Sequence, residues 1–135
     1  YKPHYVYIDA GGGADLCDAL HDKGFPNVIA ISFGSTADDS DRFFNKRAEM
    51  WGRLADWLND ENTDVSIPDS DSLQTDLCAS LYKRDMSNRL QIIAKDQIRK
   101  ELGFSPDEGD ALALTFARYM PQAYHQEIEV ISGLM

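Results

Sequence analysis

Two short apolar runs with a helical stretch between them constrain this chain more than any other feature of its sequence. Residues 5–8 (YVYI) are β-branched and aromatic, and this run stops at Asp9, which is followed by an alanine and three glycines. Apolar residues then recur at helical spacing over residues 14–23, before a second apolar run at residues 28–31 (VIAI). Continuous apolar runs of this length are typical of strands buried in a parallel sheet. The pattern predicts a βαβ unit made of a strand, a glycine turn, a helix and a second strand.

Downstream of this unit the sequence predicts helices, one hairpin and polar connections. Helical periodicity predicts a long helix over residues 42–59 and short helices over residues 73–79 and 95–102. Residues 81–84 and 89–93 flank a turn-prone link, and Leu90 and Ile92 alternate with polar residues, so the sequence predicts a β-hairpin with these two arms. Because strands alternate with helices, we expect a single α/β domain.

The last predicted helix has a start signal of its own. Ser105, Pro106 and Glu108 stand in the order of a capping box, with Ser105 as the N-cap and Pro106 at the first helical position. We expect this helix to run over residues 106–119. The polar and then apolar segment at residues 121–135 is interpreted as a tail.

Charge and cysteine content exclude several classes of protein. The formal net charge of −10 argues against a sequence-independent nucleic-acid binder, but it suits a protein whose carboxylates hold divalent cations. Cys17 and Cys78 form no zinc-binding pattern, so we expect both to be reduced packing residues. No apolar run approaches the ~20 residues of a membrane span, so we expect a soluble protein that is not exported.

Asp9 is the first candidate functional residue. It ends an apolar strand, and ligands of open α/β sheets gather at the carboxyl ends of the strands. A role as the N-cap of the following helix explains it equally well. The glycines at residues 11–13 leave a third interpretation, a phosphate cradle at a helix start, although no dinucleotide fingerprint and no Gly-Lys-Ser/Thr motif is present.

Asp107 and Asp110 are the second group of candidates. They lie three positions apart on one predicted helix, so their side chains share a face. Asp107 also complements the helix dipole, which is its ordinary explanation. Asp110 directly precedes an apolar segment, where an unpaired carboxylate is costly to bury, so it needs a cation. Carboxylates of this kind suit Mg²⁺ or Mn²⁺, and phosphodiester hydrolysis commonly uses two such ions about 4 Å apart.

Basic residues form two groups that could contact phosphates. The long helix carries Arg42, Lys46, Arg47 and Arg53, and the hairpin carries Lys83, Arg84 and Arg89. For Arg53, an ion pair with Glu49 at i,i+4 on a solvated helix face is the better explanation.

Three stretches, taken in order, resemble one known family. They are residues 5–13, with Asp9 at a strand end, residues 44–51 (FNKRAEMW), and residues 105–116 (SPDEGDALALTF). Together they resemble the carboxyl-terminal nuclease domain of phage and prophage terminase large subunits, over most of residues 5–117. The resemblance implies an RNase H-like mixed sheet flanked by helices. It also implies bound Mg²⁺ or Mn²⁺ and cleavage of concatemeric viral DNA during genome packaging.

The resemblance implies roles for individual residues as well. Asp9 matches the family's second acidic residue and Asp110 its late acidic residue, so both are the expected catalytic metal ligands, with Asp107 as an accessory ligand. The family's first acid, which lies on an earlier antiparallel strand, and its ATPase motor have no counterpart in these residues. We therefore expect residues 1–120 to be the C-terminal part of a nuclease domain that is weak or inactive alone and binds two ions when whole.

Partners follow from the same resemblance. For the parent protein they are double-stranded DNA, the portal and the small terminase subunit, in the cytoplasm of a bacterial host. An alternative hypothesis is a non-catalytic prophage remnant or interaction module that binds another packaging protein or itself through open sheet edges. A phosphate-binding regulatory domain that uses residues 11–13 ranks last.

Overall fold

The computed structural model describes residues 2–118, which contain five helices and four strands. In chain order the elements are β1 (Val6–Asp9), α1 (Ala10–Asp22), β2 (Val28–Ile31), α2 (Lys46–Leu58), α3 (Asp71–Ala79), β3 (Tyr82–Arg84), β4 (Leu90–Ile92), α4 (Lys95–Leu102) and α5 (Asp107–Leu114). The predicted tail at residues 121–135 lies outside the described residues. Within residues 2–118, no helix has the length and apolar character that crossing a membrane requires.

The predicted βαβ unit is confirmed, because β1 and β2 are parallel neighbours joined by α1. The predicted glycine turn is wrong: α1 begins directly after the strand and holds the three glycines in its first turns. The helix can begin so early because the Asp9 carboxylate caps it, accepting the N–H of Gly11 at 2.9 Å. Gly13 allows close packing, since a Cβ there would collide with the Ile8 side chain.

Helix α2 forms the centre of the core. Its buried Met50, Trp51 and Leu54 pack against residues of α5. The helix starts later than predicted, at Lys46 rather than at residue 42. Asn45 sets this start, because its side chain accepts the N–H of Ala48 at 3.0 Å. The residues before it pair with the hairpin instead, through a bridge between Phe43 and Leu90.

The predicted hairpin is confirmed as the antiparallel pair β3–β4. The α/β class with both parallel and antiparallel strands is confirmed too, although within residues 2–118 the strands pair in two sheets of two strands each. Helix α4 has its predicted bounds and ends at Gly103, whose φ of 80° is the left-handed conformation that favours glycine.

Helix α5 differs from its prediction at both ends. The capping box is wrong, because the Ser105 hydroxyl donates to the Asp107 carboxylate at 2.8 Å and the Glu108 carboxylate accepts from Ser72 at 2.9 Å. The helix starts at Asp107 and ends at Leu114, since the next three N–H groups bond three residues back and tighten the chain into turns. Residue 119, the predicted end, lies outside the described residues.

Candidate active site

A polar cavity of about 510 Å³ opens at the carboxyl ends of β1 and β2. Asp9 and Gly11 line it on one side, and residues 32–34, which follow β2, line it on another. The rest of the wall comes from α2, the hairpin and α4, and consists of Asn45, Arg47, Lys83, Gln91, Ile92, Ile93, Ala94, Lys95 and Gln97. Open α/β sheets bind their ligands at this place.

Asp9 both caps helix α1 and lines the cavity. Its Oδ1 accepts the N–H of Gly11, so the predicted N-cap role is confirmed. Its side chain is half-buried and lines the cavity. The strand therefore places a carboxylate at the cavity wall, while its role as a metal ligand stays a prediction.

Asp110 is buried, with 3 % of its surface exposed, and each of its carboxylate oxygens accepts hydrogen bonds. Oδ1 accepts from Trp51 Nε1 at 2.7 Å and from Arg47 Nε at 3.1 Å. Oδ2 lies 2.7 Å from Lys95 Nζ. The cation that the sequence indicated for Asp110 is thus supplied by Arg47 and Lys95, both of which line the cavity.

Asp107 and Asp110 both form an ion pair with Lys95. The Lys95 Nζ lies 3.3 Å from Asp107 Oδ1, which confirms that the two acids share a helix face. A hydrogen bond from Ser105, together with the Lys95 charge, lowers the pKa of Asp107 below its usual value. Burial alone would lower the pKa of Lys95, but hydrogen bonds and charges from Asp110 and Asp107 outweigh it and raise that pKa. Lys95 therefore stays protonated between them at neutral pH.

The described residues supply donor atoms of the right type for a metal ion, but not a complete set of ligands. Asp9 and Asp110 offer the hard oxygen atoms that Mg²⁺ and Mn²⁺ prefer. Within residues 2–118, however, no three His, Cys, Asp or Glu side chains are grouped closely enough to hold a metal ion. Asp110 is also held by two internal cations. The oxygen donors are therefore of the type that binds a divalent ion, but they are too few to complete its coordination.

The basic residues predicted to contact DNA fall into two classes. Lys46 and Arg47 are buried: Lys46 Nζ lies 2.8 Å from both Asp38 and Glu49, and Arg47 pairs with Asp110. The remaining three lie on the hairpin. Arg89 pairs with Asp85 at 2.8 Å, while Lys83 and Arg84 are exposed. Lys83 also lines the cavity.

Glu49 connects the start of α2 to the loop before it, and this role was not predicted. Its fully buried carboxylate accepts the N–H groups of Asp38 and Asp39, at 3.0 and 3.1 Å, and pairs with Lys46 and Arg53. The predicted Glu49–Arg53 pair is confirmed at 2.7 Å. Burial alone would raise the pKa of Glu49, but these donors outweigh it and hold the pKa at about 2. Glu49 thus fixes the polar loop before α2 to the helix.

Trp51 and Lys95 are the other site residues that sequence reasoning missed. Trp51 belongs to the apolar face of α2, so its periodicity indicates packing and not a hydrogen bond to Asp110. Lys95 opens α4 as an ordinary polar helix residue, and its contact with Asp110 depends on how α4 meets α5. No local pattern connects either residue with Asp110.

Comparison with known proteins gives matches to solved structures. No protein-family model and no curated protein matches the sequence. The nuclease domain of the large terminase subunit gp2 of bacterial virus Sf6 matches with a TM-score of 0.64 and 22 % identity, over 87 % of this chain and 66 % of that one. A lysine-to-alanine mutant of that domain with manganese, and one with calcium, match with the same TM-score, the same coverage and 21 % identity.

The likeness covers 87 % of this chain, and the chain spans 66 % of the length of the solved domains. At this identity the likeness concerns the fold. The chain therefore has the α/β fold of a phage terminase nuclease domain, which is RNase H-like, as the resemblance implied.

Proposed function

We propose that this chain is part of the metal-dependent endonuclease of a DNA-packaging terminase, which cleaves concatemeric viral DNA. One observation carries the proposal: Asp9 and the two cations that hold Asp110 line one polar cavity at the carboxyl ends of β1 and β2. The shared fold supports it, since the Sf6 domain is a nuclease domain and was solved with manganese and with calcium.

A divalent ion bound at this cavity would activate water and stabilise the charge that develops on a phosphate. In the proposal, Asp9 and Asp110 are this chain's two ligands and Asp107 is an accessory one. Arg47 and Trp51 fix Oδ1 of Asp110 from the protein interior. Oδ2 also accepts from Arg47 Nη2, but at a longer distance of 3.5 Å. Oδ2 is the atom that can become available, because its nearer partner is Lys95, whose side chain is 31 % exposed.

DNA contact is proposed for the exposed side of the hairpin. Lys83 and Arg84 are both exposed on β3, and as neighbours in a strand they face opposite sides of the hairpin. Lys83 lines the cavity, so a phosphate bound to Lys83 would lie at the cavity that Asp9 also lines. A local basic patch is required because the net charge of −10 repels DNA elsewhere. Lys46 and Arg47 have their charges engaged by acids within the protein, so we assign them to site structure.

Nicking of supercoiled plasmid with Mg²⁺ or Mn²⁺ tests the proposal. We would measure the chain alone, the chain together with any residues that precede it in its gene, and Asp110→Ala in each. Asp18→Ala, an exposed position on α1, is the control. We expect weak cleavage by the chain alone, stronger cleavage in the longer form, and a loss of about tenfold or more with Asp110→Ala. Strong cleavage by the chain alone that Asp110→Ala leaves unchanged would contradict the proposal.

A second candidate function is protein binding, to another packaging protein such as the portal or the small terminase subunit, or to a second copy. The exposed apolar residues of the hairpin region favour it: Leu81, Tyr82 and Met86 are 54 %, 65 % and 106 % exposed. Large exposed apolar side chains in one segment often mark interaction surfaces. Light scattering after size exclusion tests self-association. A dimer that Tyr82→Ser disperses, without any stabilisation by Mn²⁺, would favour this function over the nuclease.

A further inference from the structure

The helix that carries Asp110 obtains its N-terminal cap from another helix. Pro106 stands at the N-cap position of α5, and the helix has no capping side chain of its own. The N–H groups of Glu108 and Gly109 donate instead to Oδ2 of Asp76, at 2.8 and 3.1 Å. Asp76 lies on α3 and is buried, with 7 % of its surface exposed. The positive end of the α5 dipole and two charge-assisted hydrogen bonds stabilise its carboxylate there.

Gly109 brings α2, α3 and α5 into contact directly beside Asp110. A Cβ at this position would lie 2.8 Å from Cη2 of Trp51 and 3.2 Å from Cβ of Asp76. Trp51 in turn donates its indole N–H to Oδ1 of Asp110. Because Gly109 precedes Asp110 in the chain, a shift of the turn that Asp76 holds also shifts Asp110 relative to Trp51.

We propose that Asp76 is a positioning residue for the candidate metal site. By holding the first turn of α5, it fixes the Asp110 carboxylate relative to Trp51 and Arg47. Oδ2 of Asp76 accepts the N–H groups of Glu108 and Gly109, so Asp76 acts through α5 and not on a bound ion. The inference rests on the proposed function, in which Asp110 holds a divalent ion.

The full 135-residue chain has two tryptophans, so its NMR spectrum contains two indole N–H resonances, and that of Trp51 reports the position of Asp110. Trp51 donates to Asp110, whereas Trp57 packs against Phe116 with ring centroids 5.6 Å apart and serves as an internal control. We expect Asp76→Ala to shift the Trp51 resonance and to leave that of Trp57 in place. Asp76→Asn keeps an acceptor oxygen, so we expect a smaller shift.

Ser72→Ala is the matched control variant. Ser72 also reaches from α3 to α5, but it contacts the exposed carboxylate of Glu108 and not the backbone. We expect this variant to leave the Trp51 resonance unchanged. A general loosening of the contact between the two helices would shift it in both variants, and that result would overturn the inference.

Titration with Mn²⁺ connects the geometry with metal binding. Paramagnetic broadening of the Trp51 resonance should require about tenfold more Mn²⁺ in Asp76→Ala than in the wild type. If Asp76→Ala changes neither the Trp51 resonance nor the Mn²⁺ concentration at which it broadens, the inference is overturned. If the alanine variant does not fold, the same two measurements on Asp76→Asn replace it. If Asp110→Ala leaves the broadening unchanged, the proposed metal role fails, whereas the Trp51 shift still decides whether Asp76 positions Asp110.

Discussion

Asp9 and Asp110 each stabilise the fold besides their proposed part in chemistry. Asp9 caps α1, and Asp110 neutralises Arg47 and Lys95 in the interior. Removing either acid therefore changes stability and charge at once. A substitution that preserves one contribution and removes the other is needed to separate them.

Asparagine at position 9 makes this separation. Asn is as good an N-cap as Asp, so we expect Asp9→Asn to change the free energy of unfolding by less than about 0.5 kcal/mol, and Asp9→Ala to cost about 1 kcal/mol. Both substitutions remove the charge, so both should lose metal-dependent cleavage. Urea unfolding and plasmid nicking measure the two effects. Wild-type cleavage by Asp9→Asn would show that the Asp9 charge has no part in metal binding.

Glu49 makes stability depend on pH in acid. Its pKa is about 2 in the folded chain and about 4.5 ordinarily, so its ionised form stabilises the fold above pH 4.5. This contribution, on the order of 3 kcal/mol at neutral pH, is lost as the pH falls from 4.5 towards 2.

Comparison of unfolding curves between pH 7 and pH 2.5 isolates this contribution. We expect Glu49→Gln to be less stable than the wild type at neutral pH, because Lys46 and Arg53 lose their carboxylate partner. The difference between the two proteins should shrink below pH 4.5. Glu61→Gln, at an exposed position, is the control and should show no such trend. A difference that stays constant with pH would contradict the assignment.

Among the elements, the β1–α1–β2 unit positions Asp9. Helix α1 packs closely on β1 because Gly13 leaves room for Ile8, while Gly12 has open space beside it. The two glycines stand next to each other in the same helix but face different surroundings. Their substitution therefore separates close packing from backbone flexibility.

We expect Gly13→Ala to destabilise the chain by about 2 kcal/mol, because the added methyl group collides with Ile8. Gly12→Ala should be neutral or stabilise by up to about 1 kcal/mol, since alanine favours the helix more than glycine does. Thermal unfolding of the two variants measures this. Equal effects would mean that α1 does not depend on Gly13 for its contact with β1.

The sequence predicted the elements better than their ends. Apolar periodicity places α2 and α4 and both sheets correctly, because this signal reflects the burial of a face. The start of α2 was wrong because the Asn45 cap and the contact of Phe43 with the hairpin compete with a longer helix. The start of α5 was wrong because Asp76 caps it from another helix, a contact that local sequence does not encode.

For the whole molecule, the proposed DNA contact must rest on a small basic surface, because the chain carries a net charge of −10. We expect Lys83→Ala with Arg84→Ala to weaken double-stranded DNA binding and to reduce the slope of log K against log salt by about two. Lys23→Ala is the control, because Lys23 follows α1 at its far end from Asp9. Fluorescence anisotropy over a range of salt concentrations measures the slope. If the double variant and Lys23→Ala lose the same amount of DNA affinity, no local basic patch exists.

The candidate site was predictable in part. Asp9 followed from its place at a strand end, and Asp110 from a carboxylate set against an apolar helix segment. Their neighbours were not predictable, because the contacts of Lys95 and Trp51 with Asp110 join α4, α2 and α5 across the tertiary structure. Burial of Lys46 and Arg47 was missed for the same reason, since helical periodicity alone placed them on the solvated side of α2.

Mn²⁺ titration followed by NMR tests whether Asp9 and Asp110 serve one metal site. The Gly11 amide reports on Asp9 and the Trp51 indole reports on Asp110, since each donates a hydrogen bond to the carboxylate in question. We expect both signals to broaden together over the same range of Mn²⁺ concentration, and Asp110→Ala to weaken the broadening of the Gly11 amide. Broadening of only one of them, or of neither while exposed acidic loops broaden, would contradict a shared site.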